Sequence, residues 1–133
     1  MGKILKIKSR QVFDRRGNPT IEAEVYSKNL SASAICPSGA STGTYEAFEK
    51  RDNNNKKYLG KSVLGAVNLV NTKIFKKLTG ANIHDQTRID TILINLDGTR
   101  QKTSLGANAI LAVSMATKKL SARLRIYLYI KLF

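Results

Sequence analysis

Thr20-Ile21-Glu22-Ala23-Glu24-Val25-Tyr26 alternates without a break: Ile21, Ala23 and Val25 face one way, and Thr20, Glu22, Glu24 and Tyr26 face the other. A period of two is the pattern of a strand with one buried face. Before it, Ile4 to Phe13 mixes apolar and basic residues with partial alternation, and Asp14 to Pro19 supplies the Gly, Asn and Pro of a turn. After it, Lys28-Asn29 makes a second turn, and Ser31 to Cys36 places Ala32, Ala34 and Cys36 on one side. Three such segments joined by short turns predict an antiparallel meander over residues 4–36. Glu22 and Glu24 read as a solvated strand edge.

The period then lengthens. Val63, Val67, Val70, Ile74 and Leu78 form a helical stripe, with Ser62 expected as its cap and Gly80 as its stop. Asp85 is expected to cap a second helix carrying Ile89, Ile92, Leu93 and Leu96, with Gly98 after it. Thr103 or Ser104 precedes a third. The expected ranges are 62–78, 86–96 and 106–124. Ala107 to Val113 is apolar nearly all round, so this part is buried on more than one side or covered by another domain. A meander followed by a helical half is an α+β domain.

At 133 residues with 42% hydrophobic content the chain suits one soluble globular domain with a modest core. No run approaches the roughly 18 apolar residues of a membrane span, and Met1 to Arg10 alternates like a strand rather than a leader. The single Cys36 excludes an internal disulfide and makes a cytoplasmic address the default; its strand position predicts a buried, inert thiol. Lys and Arg number 23 against nine Asp and Glu, a net charge of +14. Such an excess attracts nucleic acid or anionic surfaces. The basic groups, such as Lys3-Lys6-Lys8-Arg10 and Lys118-Lys119-Arg123-Arg125, are scattered and lack interleaved aromatic platforms. A solvated basic surface is therefore preferred to a nucleic-acid site, and richness in Asn, Ile and Lys fits a general coding bias.

Pro37-Ser38-Gly39-Ala40-Ser41-Thr42-Gly43 combines two glycines with three hydroxyls between the last strand and Glu46-Ala47-Phe48-Glu49. Glycine frees the backbone, and Ser and Thr offer oxygens to a ligand or metal. Taken alone it is a mobile polar connection. The carboxylates Glu46, Glu49 and Asp52 are interrupted by Lys50, Arg51 and Lys56 and read as surface charge. His84, the lone histidine, reads as a solvated residue ahead of the Asp85 cap. No zinc-ligand spacing, Walker loop or nucleophile elbow is present.

Three further strings accompany that stretch: Asp14-Arg15-Arg16-Gly17-Asn18-Pro19-Thr20, Leu96-Asp97-Gly98-Thr99, and Gly106-Ala107-Asn108-Ala109-Ile110-Leu111. Together and in this order they resemble the amino-terminal domain of enolase, from about Ile4 to about Tyr129. The resemblance implies descent from a Mg²⁺-dependent lyase of glycolysis that interconverts 2-phosphoglycerate and phosphoenolpyruvate. It implies that Ser38, Gly39, Ala40, Ser41, Thr42 and Gly43 are the closing loop, with Ser41 as ligand of the second Mg²⁺ and Gly39 and Gly43 as hinges. It also implies a homodimer, with Arg16 near the subunit interface and Arg10 and Glu22 at positions that pair with the other subunit's large domain.

Two departures stand out. Arg15 replaces the usual Ser and adds like charge at that interface, and Tyr127 replaces the Pro of Ile-Pro-Leu-Tyr. The resemblance places the acidic metal-holding residues, the catalytic lysine and the acid pair in a barrel domain beyond residue 133. The expectation is a domain over 1–125, the start of a linker over 126–133, no catalytic residue here, and no turnover without a separate barrel chain. Family members are cytoplasmic and also occur at the cell surface. The rival reading is a basic, non-enzymatic protein that contacts RNA or acidic surfaces on a retained fold.

Overall fold

In a computed structural model, residues 2–37 and 46–132 are described; the 38–43 stretch, Ser41 included, lies outside them. The meander consists of β1 (Lys6–Phe13), β2 (Pro19–Tyr26) and β3 (Ser31–Ile35), antiparallel in the order β1-β2-β3. The register pairs Ile7 with Val25 and Ala23 with Ala34, so the apolar residues of all three strands line one face. Ile7, Ile21, Ala23, Val25, Ala32, Ala34 and Cys36 are buried there. The turn at Asp14 closes because its Oδ1 accepts the N–H groups of Arg16 and Asn18, both at 2.9 Å.

The helical half covers that face. α1 (Leu64–Leu69) runs through a widened turn at Val70–Ile74 into α2 (Phe75–Leu78); α3 (Gln86–Asp97) and α4 (Ala107–Lys131) follow. The stripe is as expected: Val63, Val70, Ile74 and Leu78 are fully buried, as are Ile89 and Leu93 of α3. The widened turn coincides with a contact that periodicity does not show. Ser9 donates its N–H to Asn71 Oδ1 (2.7 Å) and its hydroxyl to the Val67 carbonyl (3.0 Å). A side chain thus occupies hydrogen-bonding positions on the open edge of β1 and protects it from pairing with another strand.

α4 packs on β2, β3 and α3. Asn108, Ala109, Ala112, Val113, Ala116, Thr117, Leu120, Ser121 and Leu124 are its buried residues. Its apolar first half is buried on several sides, although Leu111 faces outward. The helix does not stop near 124 but continues to Lys131. Nothing from Leu120 to Leu132 is Gly or Pro, Tyr127 keeps the N–H that proline lacks, and Lys131 sits favourably at the carboxyl end.

Candidate functional site

The exposed face of the sheet carries the charges singled out in the sequence. Arg10 stands directly opposite Glu22 across the β1–β2 ladder. Its guanidinium pairs with Glu22 and, at 2.9 Å, with Glu24 Oε1. Glu24 also accepts the Tyr26 hydroxyl at 2.5 Å. That hydroxyl and the Arg10 guanidinium hold the Glu24 carboxyl below its ordinary value, while the same contact raises Tyr26. The solvated-edge reading of Glu22 and Glu24 is corrected here: β2 is the central strand, and both carboxylates are engaged by Arg10. Arg16 lies 3.8 Å from Asp14 at the β1–β2 turn, and the rings of Phe13 and Tyr58 meet edge to face at 5.2 Å. Tyr58 and Leu59 both adopt positive φ (48° and 54°), and Leu59 is 85% exposed.

The flanks of the 38–43 stretch are fixed by residues far away in sequence. On the strand side, the Cys36 N–H donates to the Ile21 carbonyl (3.0 Å), and buried Thr20 donates its hydroxyl to the Cys36 carbonyl (2.8 Å). Burial pushes the Cys36 thiol up to about 11, so it is inert at neutral pH. On the far side, Phe48 donates to the Gln101 carbonyl (2.8 Å), and its own carbonyl accepts from Ala107 N–H (2.7 Å). Asn108, buried, grips both backbone groups of Lys50: Oδ1 accepts the N–H at 2.9 Å and Nδ2 donates to the carbonyl at 3.1 Å. Gly106 permits this approach. A Cβ there would fall 2.5 Å from Lys50 Cβ and from Asn108 Oδ1, and the φ of 92° already excludes most side chains.

The Leu96-Asp97-Gly98-Thr99 string has a matching local task. Asp97 accepts the Thr99 N–H (2.9 Å) and hydroxyl, and its other oxygen accepts the Leu105 N–H (2.7 Å). Burial alone would raise this carboxyl, but the hydrogen bonds outweigh it and hold the group below its ordinary value. The string folds the loop that delivers Gly106 and Asn108 to residues 48–50.

Three side chains read as surface groups have definite partners. Asp52, not Ser62, caps α1: its two oxygens accept the N–H groups of Leu64 (3.0 Å) and Gly65 (2.8 Å). Ser62 instead donates to Gln11 Oε1 at 2.8 Å. The cap comes from a residue twelve positions upstream of Leu64, where a local capping pattern does not search. His84 is half-buried rather than solvated, with Nδ1 2.7 Å from Ser121 Oγ. Glu49 pairs with Arg51 at 3.0 Å, and Arg51 also donates to the Pro19 and Lys61 carbonyls.

Among the described residues no group of three His, Cys, Asp or Glu could hold a metal ion, and no helix is long and apolar enough to cross a membrane. Asp52 serves a helix and Glu49 an arginine, so neither is available to hold a metal.

Comparison with known proteins gives a consistent result. The family model described as "Enolase, N-terminal domain" matches residues 4–132. The enolase of Pelagibacter ubique (strain HTCC1062) is 89% identical over 125 residues, covering 94% of this chain and 30% of that protein. The enolase of Malacoplasma penetrans (strain HF-2) is 52% identical over 133 residues, covering 97% of this chain and 30% of that protein. The chain thus spans about a third of the length of these relatives.

Proposed function

Because the chain belongs to the enolase N-terminal domain family, we propose that it serves the enolase reaction, the Mg²⁺-dependent interconversion of 2-phosphoglycerate and phosphoenolpyruvate in the cytoplasm. The observation that carries this is the 89% identity to a named enolase across 94% of the chain. In this reading Ser41 supplies one hydroxyl oxygen to the second Mg²⁺, and Ser38, Gly39, Ala40, Thr42 and Gly43 are the rest of the closing loop. Mg²⁺ supplies stabilisation of negative charge beside a carboxylate and a phosphate. What the described residues contribute is position: Thr20 holds one flank of the loop at Cys36, and Asn108 holds the other at Lys50.

In this proposal the described residues position the loop and the reacting groups come from the barrel part of enolase, so the 133-residue chain by itself does not turn over substrate. The partner it needs is the barrel part of enolase. Arg10, Arg16 and Glu22 belong to the homodimer surface; the placement of Arg10 and Glu22 on the sheet face turned away from the helices supports that assignment.

The test mixes purified chain with a separately expressed enolase barrel, 2-phosphoglycerate and Mg²⁺, and follows phosphoenolpyruvate absorbance. The chain alone gives no turnover and the mixture does. Ser41→Ala in the mixture weakens the second metal and lowers turnover, whereas Ser38→Ala does less. Equal losses from the two substitutions would assign the metal role to the wrong serine. The net charge of +14 favours a second reading, a basic protein that contacts RNA or acidic surfaces. Retention on RNA that falls steeply with salt, with no rescue by the barrel, would select it.

A further inference from the structure

His84 lies in the connection between α2 and α3, where its backbone N–H donates to Asn82 Oδ1 at 2.9 Å. The ring packs on Gly2, so closely that a Cβ there would lie 3.2 Å from the ring's Cδ2. Its Nδ1 faces α4, 2.7 Å from Ser121 Oγ and 3.3 Å from Arg125 Nε. A guanidinium only donates. An Nδ1 that accepts from Arg125 carries no proton, so in this arrangement the ring proton sits on Nε2 and the single Nδ1 lone pair is shared between the Ser121 hydroxyl and the Arg125 N–H. Only the neutral ring offers that lone pair.

Leu124 is the last fully packed residue of α4; beyond it Tyr127 is half-buried against the core, while Ile126, Ile130 and Leu132 are exposed. We propose that His84 is a pH-sensitive latch, which holds the last turns of α4 to the α2–α3 connection while neutral and releases Arg125 on protonation. A proton on Nδ1 places N–H and positive charge against a cation. The Ser121 hydroxyl can turn and accept, but Arg125 cannot, so the opening begins at Arg125 and leaves the buried part of the helix in place.

The surrounding charges agree. From α4 comes Arg125, and the amino-terminal charge acts in the same direction; on its own connection the neighbour is Asp85, whose carboxylate is turned to the Arg88 N–H of α3 (3.2 Å). Burial of the ring, then Arg125, lowers the His84 pKa below its ordinary 6.5. The unfolded chain therefore takes up the proton first, and stability falls as pH drops below 6.5 until the folded form also titrates.

The experiment is NMR on the full chain between pH 8 and pH 5. The His84 ring signal should titrate below 6.5, and the amides of residues 125–131 should exchange several-fold faster across the same midpoint, after correction for intrinsic exchange. Arg125→Gln should raise the His84 midpoint, and His84→Asn, a non-titrating acceptor, should leave residues 125–131 equally protected at both ends. Titration at or above 6.5, pH-independent exchange at 125–131, or a pH effect that survives His84→Asn would each overturn the latch. The unsubstituted chain decides the matter even if a variant fails to fold.

Discussion

The meander and the stretch from Glu46 to Val63 contain little helix, and they are held in opposite ways. In the meander each residue meets partners a short turn away: Val25 lies opposite Ile7 and Ala32, and one apolar face supplies the driving force. The 46–63 stretch has almost no apolar face of its own. It is fixed by Asn108 from 58 positions away, by an Asp52 cap on α1, and by Arg51 bridging Pro19 and Lys61. Strands of this kind are specified by a repeating pattern. A segment tied by single polar contacts is specified residue by residue, and one substitution should undo more of it.

The sharpest test of that difference is Gly106→Ala. With φ at 92° and ψ at 135°, and Lys50 Cβ 2.5 Å from the new methyl, the substitution is expected to cost about 3–4 kcal/mol in denaturant unfolding. A loss under 1 kcal/mol (roughly the cost of an ordinary exposed change) would mean that α4 and residues 48–50 are not locked together.

Asn108→Ala should come next, at about 2–3 kcal/mol, since it strips two hydrogen bonds from the Lys50 backbone and leaves half-buried groups unpaired. Amide exchange distinguishes the two regions: Lys50 should lose protection in this variant while Val25 keeps it. Equal loss at both positions would erase the contrast between pattern and single contact.

Asp52→Ala should cost about 1 kcal/mol, the usual worth of a helix cap, with Ser62→Ala showing no capping loss. The comparison is read from exchange at Leu64 and Gly65, which only the first substitution should expose.

The smallest effect belongs to the sheet. Arg10→Gln removes exposed ion pairs to Glu22 and Glu24 and should change stability by about 0–1 kcal/mol. The pH profile carries the sign. The Glu24 carboxyl is depressed by the Tyr26 hydroxyl and Arg10, so its contribution is full above the ordinary 4.5 and is lost as pH falls through the folded value. Glu24→Gln should flatten stability over that acidic range; an unchanged slope would place the linkage elsewhere.

Val25 and Ile74 show what a single sequence discloses. A strand period of two and a helical stripe both arise from one physical demand, that apolar groups leave water together, so both elements were legible before any contact was known. The four ordered motifs were legible too, and they led to the family. Their local tasks were not. Asn108 in an apolar helix start, Asp52 among mixed charges and His84 before a cap each carry side chains that suit several environments. Their partners lie at separations that no local spacing encodes.

The amino-acid sequence by itself determined the meander, the order of the three helical segments and the enolase ancestry, because periodic burial and turn chemistry act between near neighbours. Only the tertiary structure decided that Asp52 caps α1, that Gly106 and Asn108 lock residues 48–50, and that His84 faces Arg125. A polar contact is a meeting of two particular atoms at hydrogen-bond distance, and that distance exists only once the chain has packed.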